Sequence, residues 1–326
     1  MQQKRRTLLC AVSALFVSAP MPSFSQNFPT KPLRWIVGYS AGSGLDFVAR
    51  VVADTMSKHL HQQIIVENKP GAAGAISASA LFASPSDGYT LLSADVGIYA
   101  LNPHLYSRLK YDSPRDFKVV GMMVNIPMVL FVPSELQINT LEDFVNHIKS
   151  KPPGSVNFAS SGIGNPTHLT MELFMRASKL KLTHVPYKGS PAALTDLATG
   201  QTSAFFVGPN DGMPHVKSGK LKVLATATPN RLTILPDVPT LNELGYDVSF
   251  QVWLSMVVAA DTPLSLVDRL NEALGATMTD IDVIQRLEEA GFEVRSPTAS
   301  RQADGFAKAD YDRWGKFLPP LNIKLD

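Results

Sequence analysis

Cysteine, charged residues and long hydrophobic runs are all scarce in this sequence. Its 326 residues include one cysteine, Cys10, and charged residues make up 18% of the chain. A single cysteine excludes an internal disulfide and any metal site built on a cysteine pair. The formal net charge is +2 and the body of the chain carries no basic run. The composition therefore does not favour nucleic acid or an anionic membrane surface as a partner.

The first 25 residues have the organisation of a secretion signal. Three basic residues (4–6) precede an apolar segment (8–19), and small residues precede Gln26. The apolar segment is too short to span a membrane as a helix. We predict a signal peptide over 1–25, cleaved near Gln26, and an exported protein. Its removal takes away three basic groups and no acid, so the formal charge changes from +2 to −1.

The most informative stretch follows this signal and predicts a strand, a small-residue loop and a helix. An apolar, β-prone run covers 33–37, the loop covers 39–44, and helical spacing begins at Leu45. Ser43 and Asp46 have the spacing of a capping box. Such a unit points free N–H groups and the positive end of a helix dipole at whatever lies above the sheet. The stretch therefore predicts an anion site.

The same loop has two other interpretations. Gly42-x-Gly44 after a strand, with Glu67 ending the next strand, partly matches a dinucleotide-binding fingerprint. Phe47 stands where the third glycine of that fingerprint belongs, which argues against a dinucleotide. A turn without a ligand is the other alternative, and the loop alone leaves it open.

Strands and helices alternate along the rest of the chain, which predicts an α/β fold with largely parallel sheets. Small polar residues follow several strands, as in 94–97 and 160–167, and open α/β sheets place ligands at such strand ends. We interpret the break at 125–127 as a first crossing between two domains, and the apolar segment 247–260 as the return. Thr140 and Asp143 predict a capping box at the start of another helix.

Catalytic residues do not form an evident arrangement. We predict no nucleophile elbow of the serine-hydrolase kind. Ser160 or Ser161 could act as a nucleophile with His168 as its base, so a hydrolase stays open as an alternative. The same serines also suit hydrogen-bond donation in a binding loop. His59 and His61 would face opposite sides of a helix, and we predict neither a metal site nor a cofactor.

Sequence landmarks of one family occur in order along nearly the whole chain. They are Lys31-Pro32-Leu33-Arg34, the segment 42–50 with Asp46, Val66-Glu67-Asn68-Lys69-Pro70-Gly71-Ala72, Asp87-Gly88-Tyr89-Thr90-Leu91-Leu92, Asn102-Pro103, Tyr111-Asp112, Asp116-Phe117, His184-Val185-Pro186-Tyr187-Lys188-Gly189, Ala193-Leu194-Thr195-Asp196-Leu197, Leu235-Pro236-Asp237-Val238-Pro239-Thr240 and Trp314-Gly315-Lys316. With these landmarks the chain resembles the periplasmic solute-binding receptors of tripartite tricarboxylate transporters, also called Bug (Bordetella uptake gene) receptors.

The resemblance implies a periplasmic, two-domain Venus flytrap with two crossing segments and no catalytic activity. Domain 1 would comprise 27–125 plus 250–326, and domain 2 would comprise 126–249. A small carboxylate would bind in the cleft, the domains would close on it, and a membrane permease would receive it. A sensor that feeds a membrane signalling protein is an alternative, and a monomer is expected. The expected ligand-binding residues are Tyr39, Ala41, Gly42, Ser43, Gly44, Asp46, Asp95, Ser160, Ser161, Gly162, Asn165, Thr167, His168, Tyr187, Val207 and Gly208.

Two departures from the family pattern concern the ligand. The first loop usually reads Pro-Pro-Gly-Gly-Gly-Thr/Ser-Asp, whereas residues 40–46 here read Ser-Ala-Gly-Ser-Gly-Leu-Asp. Val207 stands where the family often has an acid that faces the distal part of the ligand. We therefore expect a ligand with a less polar distal group, aromatic or alkyl.

Overall fold

A computed structural model describes residues 28–319, and the predicted signal peptide lies outside this range. The described chain forms two β-sheets with helices packed on their faces. None of the helices between residues 28 and 319 is both long and apolar enough to cross a membrane.

Eleven strands between residues 28 and 319 build the two sheets. In chain order they are β1 (Leu33–Val37), β2 (Ile64–Asn68), β3 (Thr90–Asp95), β4 (Phe117–Ile126), β5 (Val129–Pro133), β6 (Asn157–Ser160), β7 (Thr183–Pro186), β8 (Phe205–Val207), β9 (Leu221–Thr226), β10 (Val252–Ala259) and β11 (Glu293–Val294).

Within the same described range, eleven α-helices connect and cover the strands. They are α1 (Gly44–Leu60), α2 (Ala75–Phe82), α3 (Asn102–Leu105), α4 (Ser113–Asp116), α5 (Leu141–Lys149), α6 (Pro166–Ser178), α7 (Ser190–Ala198), α8 (Pro209–Lys217), α9 (Leu264–Met278), α10 (Ile281–Glu289) and α11 (Ser300–Phe317). Short 3₁₀ segments cover Ala72–Gly74 and Ser134–Leu136, and a π-helical turn covers Gly97–Leu101.

Four strands of each sheet follow a common order. The first sheet is ordered β11-β4-β10-β3-β1-β2 and the second β7-β6-β8-β5-β9. Each contains three parallel neighbours, β2-β1-β3 and β7-β6-β8, followed by a strand of opposite direction, β10 or β5. The expectation of largely parallel sheets is therefore wrong, because the strand that arrives from the other lobe runs antiparallel to its neighbours.

The chain passes between the lobes twice. It leaves the first sheet at the end of β4, at Ile126, and enters the second as β5, at Val129. It returns before β10, whose eight residues are all buried, as expected of a central strand covered on both faces. The break at 125–127 and the segment 247–260 contain these passages. The domain limits 27–125 plus 250–326 and 126–249 remain a prediction.

Most helices and strands agree with the sequence patterns, and the capping box of α5 is confirmed. Thr140 Oγ1 accepts a 3.1 Å hydrogen bond from the Asp143 N–H, and Asp143 accepts one from the Thr140 N–H. Helix α8 was not predicted, because its nine residues include two prolines and a glycine. That glycine, Gly212, lets α8 approach β5 closely, since an added Cβ would lie 2.3 Å from the Phe131 ring.

Candidate functional site

Four helices begin around one small cavity between the two sheets. Their first residues are Gly44 of α1, Pro166 of α6, Ser190 of α7 and Pro209 of α8. The cavity has a volume of about 50 Å³, enough for a few water-sized groups. Each helix start offers N–H groups without intrahelical partners and a positive dipole end, so the cavity favours an anion.

The wall of this cavity combines residues that the sequence indicated with others that it did not. Nine of the predicted residues line it: Tyr39, Ser43, Gly44, Asp95, Ser161, Asn165, Thr167, Val207 and Gly208. Eight further residues complete the wall: Leu45, Ile126, Met128, Pro166, Ser190, Asn210, Asp211 and Val252.

Helix α1 begins at the cavity without a capping box. Ser43 occupies the N-cap position, yet its hydroxyl is buried and has no hydrogen-bond partner among the described residues. The Asp46 carboxylate accepts instead from the N–H of Gly42, at 2.9 Å, and from Asn68 and Arg50. The predicted Ser43–Asp46 box is therefore wrong. Gly42 has a φ of +79°, and this turn directs the Gly42 N–H to the Asp46 carboxylate. The Ser43 hydroxyl is left without a hydrogen bond in the described chain.

Helix α6 begins on the other lobe with Asn165, whose side chain forms only some of its possible hydrogen bonds. Asn165 Oδ1 accepts hydrogen bonds from the His168 N–H, at 3.1 Å, and from the Thr167 hydroxyl, at 2.7 Å. Thr167 in turn accepts from the Ser161 N–H at 2.9 Å. These bonds fix the Asn165 amide, whose buried Nδ2 has no partner within the described part of the chain. A donor is thus held in place at the cavity.

A third unpaired polar atom lies at the start of α8. Asn210 donates from Nδ2 to Asp211, and its buried Oδ1 has no partner among residues 28–319. Asn210 and Asp211 are not among the residues predicted from the sequence, because the helix that presents them was not predicted. β8 ends at Val207, and the Gly208-Pro209 pair that follows it was the available signal.

Two acids of the wall hold their protons more tightly than usual. Burial raises the pKa of Asp95 to about 6, although the Ile98 N–H and the Tyr39 hydroxyl both donate to it at 2.8 Å. Burial also raises the pKa of Asp211 to about 6, against hydrogen bonding by Ser190, Asn210 and the Gly44 N–H. Near pH 6 both side chains change charge within the cavity wall.

One side of the cavity is apolar. Ile126, Met128, Val207 and Val252 all line it, and each is at most 3% exposed. Ile126 and Met128 belong to the passage between the sheets, and Val252 begins β10. Val207 therefore lies in the cavity wall together with three other nonpolar side chains.

Seven predicted residues lie outside this wall. Gly42 and Asp46 border a groove of about 800 Å³ between α1 and the helices α7 and α8. Gly162 and Tyr187 border a second groove of about 610 Å³, where Tyr187 donates to Asp196 at 2.7 Å. Ser160 and His168 are buried and do not line the cavity, and Ala41 is exposed.

The histidine beside Ser160 is His184, not His168. Ser160 Oγ lies 2.6 Å from His184 Nε2, and the His168 ring stacks on the His184 ring with 3.9 Å between centroids. Burial, with a smaller effect of His168, lowers the pKa of His184 to about 3. His168 meanwhile accepts the Gly164 N–H at Nδ1. The pairing of Ser160 with His168 that a hydrolase would need is therefore wrong.

The sequence also holds a Gly-x-Ser-x-Gly match that its analysis overlooked, Gly38-Tyr39-Ser40-Ala41-Gly42. In a nucleophile elbow the serine lies on a strained turn directly before a helix. Here α1 begins four residues after Ser40. The Ser40 hydroxyl donates to the backbone carbonyl of Lys188 at 2.8 Å and so links the two lobes. No hydrogen bond between Ser40 and a histidine occurs in the described part of the chain.

Among known families, the model of the tripartite tricarboxylate transporter family receptor matches residues 48–323. The chain belongs to this family. The resemblance drawn from the sequence landmarks is thereby confirmed, and so is the two-domain α/β architecture of a periplasmic binding protein.

Three solved structures are particularly similar. The periplasmic binding protein BugD is 27% identical, with a TM-score of 0.87 over 91% of this chain and 99% of BugD. An R. palustris protein with adipate is 28% identical, with a TM-score of 0.85 over 89% and 97%. MatC from Rhodopseudomonas palustris, with bound malate, is 28% identical, with a TM-score of 0.84 over 89% and 99%.

Proposed function

We propose that this receptor binds a small carboxylate in the cavity between its lobes and delivers it to the membrane permease of a tripartite transporter. It acts in the periplasm after cleavage of a signal peptide near Gln26. Its structural relatives with adipate and with malate support a carboxylate as the ligand class.

The observation that carries the proposal is a pair of unpaired donors at two helix starts. Ser43 Oγ belongs to the first lobe and Asn165 Nδ2 to the second, and both are buried without a partner in the described chain. A buried polar group without a hydrogen bond costs about 1–3 kcal/mol. A carboxylate has two oxygens that accept hydrogen bonds, so it satisfies both donors at once and gains from both helix dipoles.

Access to the cavity comes through the grooves. Tyr39 and Ser161 line both the cavity and the 610 Å³ groove, and Asn210 and Asp211 line both the cavity and the 800 Å³ groove. Rotation of the lobes about the passages at β4–β5 and β10 would widen these openings. Ligand capture is then a hinge closure, in which opposed loops contribute to one site.

The distal part of the ligand is proposed to be alkyl or aryl. Val207 and its aliphatic neighbours Ile126, Met128 and Val252 bury a nonpolar group without leaving a charge unpaired. Each buried methylene contributes about 0.8 kcal/mol. A ligand-bound structure tests this point, and a second carboxylate or an ammonium beside Val207 would contradict it.

Two other functions have less support. A hydrolase would need an accessible nucleophile, whereas Ser160 is 0% exposed and its neighbour His184 has a pKa near 3, which makes it a weak base. Ser161 lines the cavity, and no histidine hydrogen bonds to it in the described structure. A sensor would use the same cleft, and a direct interaction assay against candidate permease and signalling proteins separates the two roles.

A thermal-shift screen of the mature protein tests the proposal. Its compounds are carboxylates with alkyl and aryl distal groups, each paired with its methyl ester. At 100 times its dissociation constant a ligand stabilises the folded state by about 2.7 kcal/mol. We expect acids to raise the unfolding midpoint and the matched esters to lose that effect. Shifts produced only by neutral or cationic compounds would refute the carboxylate site.

A further inference from the structure

The amide of Asn210 has one orientation that an ionised Asp211 allows. Nδ2 donates to an oxygen of Asp211. Above the pKa of Asp211, which burial raises to about 6, its carboxylate is ionised and only accepts hydrogen bonds. Asn210 then turns its NH₂ toward Asp211 and its carbonyl oxygen away. The unpaired atom of this side chain is therefore an acceptor.

This acceptor lies at the seam of the two lobes. Asn210 borders the cavity, and a Cβ added at Gly44 of the first lobe would lie 3.0 Å from Asn210 Oδ1. A Cβ added at Gly208 of the second lobe would lie 2.8 Å from the same atom. Two glycines thus leave room around Oδ1, which stays buried without a donor among residues 28–319.

The three unpaired atoms of the cavity consequently have different requirements. Asn165 Nδ2 needs an acceptor, the Ser43 hydroxyl can donate to one, and Asn210 Oδ1 needs a donor. A carboxylate supplies acceptors only. A plain alkanoate or alkanedioate would therefore leave Asn210 unsatisfied in the closed cleft.

We propose that the ligand is a carboxylate that also carries a hydrogen-bond donor, a hydroxyl, amide N–H or ammonium, which binds Asn210 Oδ1. This inference rests on the proposed function and narrows its ligand class. The carboxylate lies between Ser43 and Asn165, and the donor group lies at the Gly44–Gly208 seam. The aliphatic surface around Val207 receives the carbon skeleton.

Matched ligands test the inference on the wild-type protein by isothermal titration calorimetry at pH 7.5, where Asp211 is ionised. One series starts from butanedioate and one from 3-phenylpropanoate. Each contains the unsubstituted acid, its 2-hydroxy and 2-amino derivatives and, for butanedioate, the monoamide. We expect at least one donor-bearing member to bind about tenfold more tightly than its unsubstituted parent, the usual effect of satisfying one buried polar group. Comparison of the derivatives shows whether a hydroxyl, an amide N–H or an ammonium group donates to Asn210 Oδ1.

Two variants locate the preference. Asn210→Leu removes the acceptor, and we expect the donor-bearing and unsubstituted acids to bind it equally. Asn165→Leu makes the same chemical change across the cavity, and we expect it to weaken both acids alike while the tenfold preference persists. If Asn210→Leu does not fold, the wild-type ligand series decides alone.

Two results would overturn the inference. Equal affinity of wild-type protein for every unsubstituted acid and its derivatives would refute the donor requirement and leave the carboxylate receptor intact. Failure of all acids in both series to bind, with binding of other solutes, would refute the donor requirement together with the proposed function.

Discussion

The Ser40 hydroxyl donates a 2.8 Å hydrogen bond to the backbone carbonyl of Lys188 and joins the loop after β1 to the loop after β7. The lobes also meet where the Tyr106 hydroxyl donates to the Ile163 carbonyl at 2.8 Å. Tyr106, Ile163 and Lys188 border the 610 Å³ groove, which shares Tyr39 and Ser161 with the cavity. We therefore expect closure of the lobes to enclose the ligand. Small residues at the seam decide how closely the lobes approach.

Gly44→Ala tests this dependence on close approach. The new Cβ would lie 3.0 Å from the Asn210 amide across the cleft, which is closer than side chains normally pack. We expect about tenfold weaker carboxylate binding in calorimetry. Global stability should change little, because Gly44 is the first residue of α1 and the lobes can stay slightly farther apart.

Gly305→Ala is the matched control for this change. Gly305 lies inside α11, and an added Cβ meets no atom within 4 Å. We expect a gain in stability of up to about 1 kcal/mol, since alanine favours a helix interior over glycine, and unchanged affinity. Wild-type affinity in Gly44→Ala would show that the seam tolerates a methyl group and would contradict the closure argument.

Ser43→Ala tests the unused N-cap hydroxyl. Because this hydroxyl has no partner in the described structure, its loss should cost little stability, within about 0.5 kcal/mol. Affinity for the carboxylate should fall about five- to tenfold, the effect of one lost hydrogen bond. Denaturant unfolding and calorimetry on the same preparation give both quantities.

Thr140→Ala should lower stability and leave ligand affinity unchanged, the opposite of Ser43→Ala. Thr140 caps α5 with two reciprocal hydrogen bonds, so we expect a loss of about 1 kcal/mol in unfolding free energy with unchanged affinity. A Ser43→Ala variant that loses stability and keeps its affinity would mean that Ser43 serves the helix and not the ligand.

The contrast between these two caps shows what sequence spacing can predict. Thr140 and Asp143 form the box that their spacing indicates, whereas Ser43 and Asp46 share the spacing and do not. The turn at Gly42 offers Asp46 a different N–H, and Arg50 and Asn68 hold the carboxylate there. Local patterns predicted most strands and helices, but tertiary contacts decided the hydrogen bonds.

Half of the cavity wall was beyond the sequence argument for a similar reason. Asn210 and Asp211 lie on α8, where two prolines and Gly212 disguise a helix that packs on Phe131. Ile126, Met128 and Val252 read as core residues of crossing strands. They come together only where the two lobes pack against each other, and residue spacing along the sequence does not indicate that contact.

Ligand affinity should depend on pH through Asp95 and Asp211. Burial raises the pKa of each to about 6, so both are ionised at pH 7.5 and largely protonated at pH 5. A carboxylate ligand with a pKa near 4 stays charged over this range. We expect several-fold tighter binding at pH 5 than at pH 7.5, because two negative charges near the ligand are neutralised.

Asp95→Asn separates this effect from a general response to acid. The amide removes one titrating group and keeps a side chain of the same shape beside Tyr39. We expect tighter binding at pH 7.5 and a smaller increase between pH 7.5 and 5, measured by calorimetry in buffers of equal ionic strength. An affinity that does not change with pH in the wild-type protein would contradict ionised acids in the cavity wall.

His184 should make the folded state sensitive to acid. Burial, followed by the neighbouring His168, lowers the pKa of His184 to about 3 in the folded protein, whereas an unfolded chain protonates histidine near 6.5. The folded pKa is the lower one, so this contribution to stability is complete above pH 6.5 and is lost as the pH falls toward 3. Asp95 and Asp211 have the opposite sign, since their contribution is complete below pH 4 and is lost as the pH rises through 6.

His184→Gln isolates the histidine contribution. Glutamine can hydrogen bond to Ser160 and does not titrate. Partial solvent access reduces the effect, so we expect the wild-type protein to lose about 1–2 kcal/mol from this group between pH 7 and pH 5. The variant should be less stable at pH 7 and should lack this loss, while His59→Gln, at an exposed position on α1, should keep the wild-type dependence. Denaturant unfolding at pH 7, 6 and 5 measures all three proteins, and parallel curves for wild type and His184→Gln would show that His184 accepts a proton as readily in the folded state as in the unfolded chain.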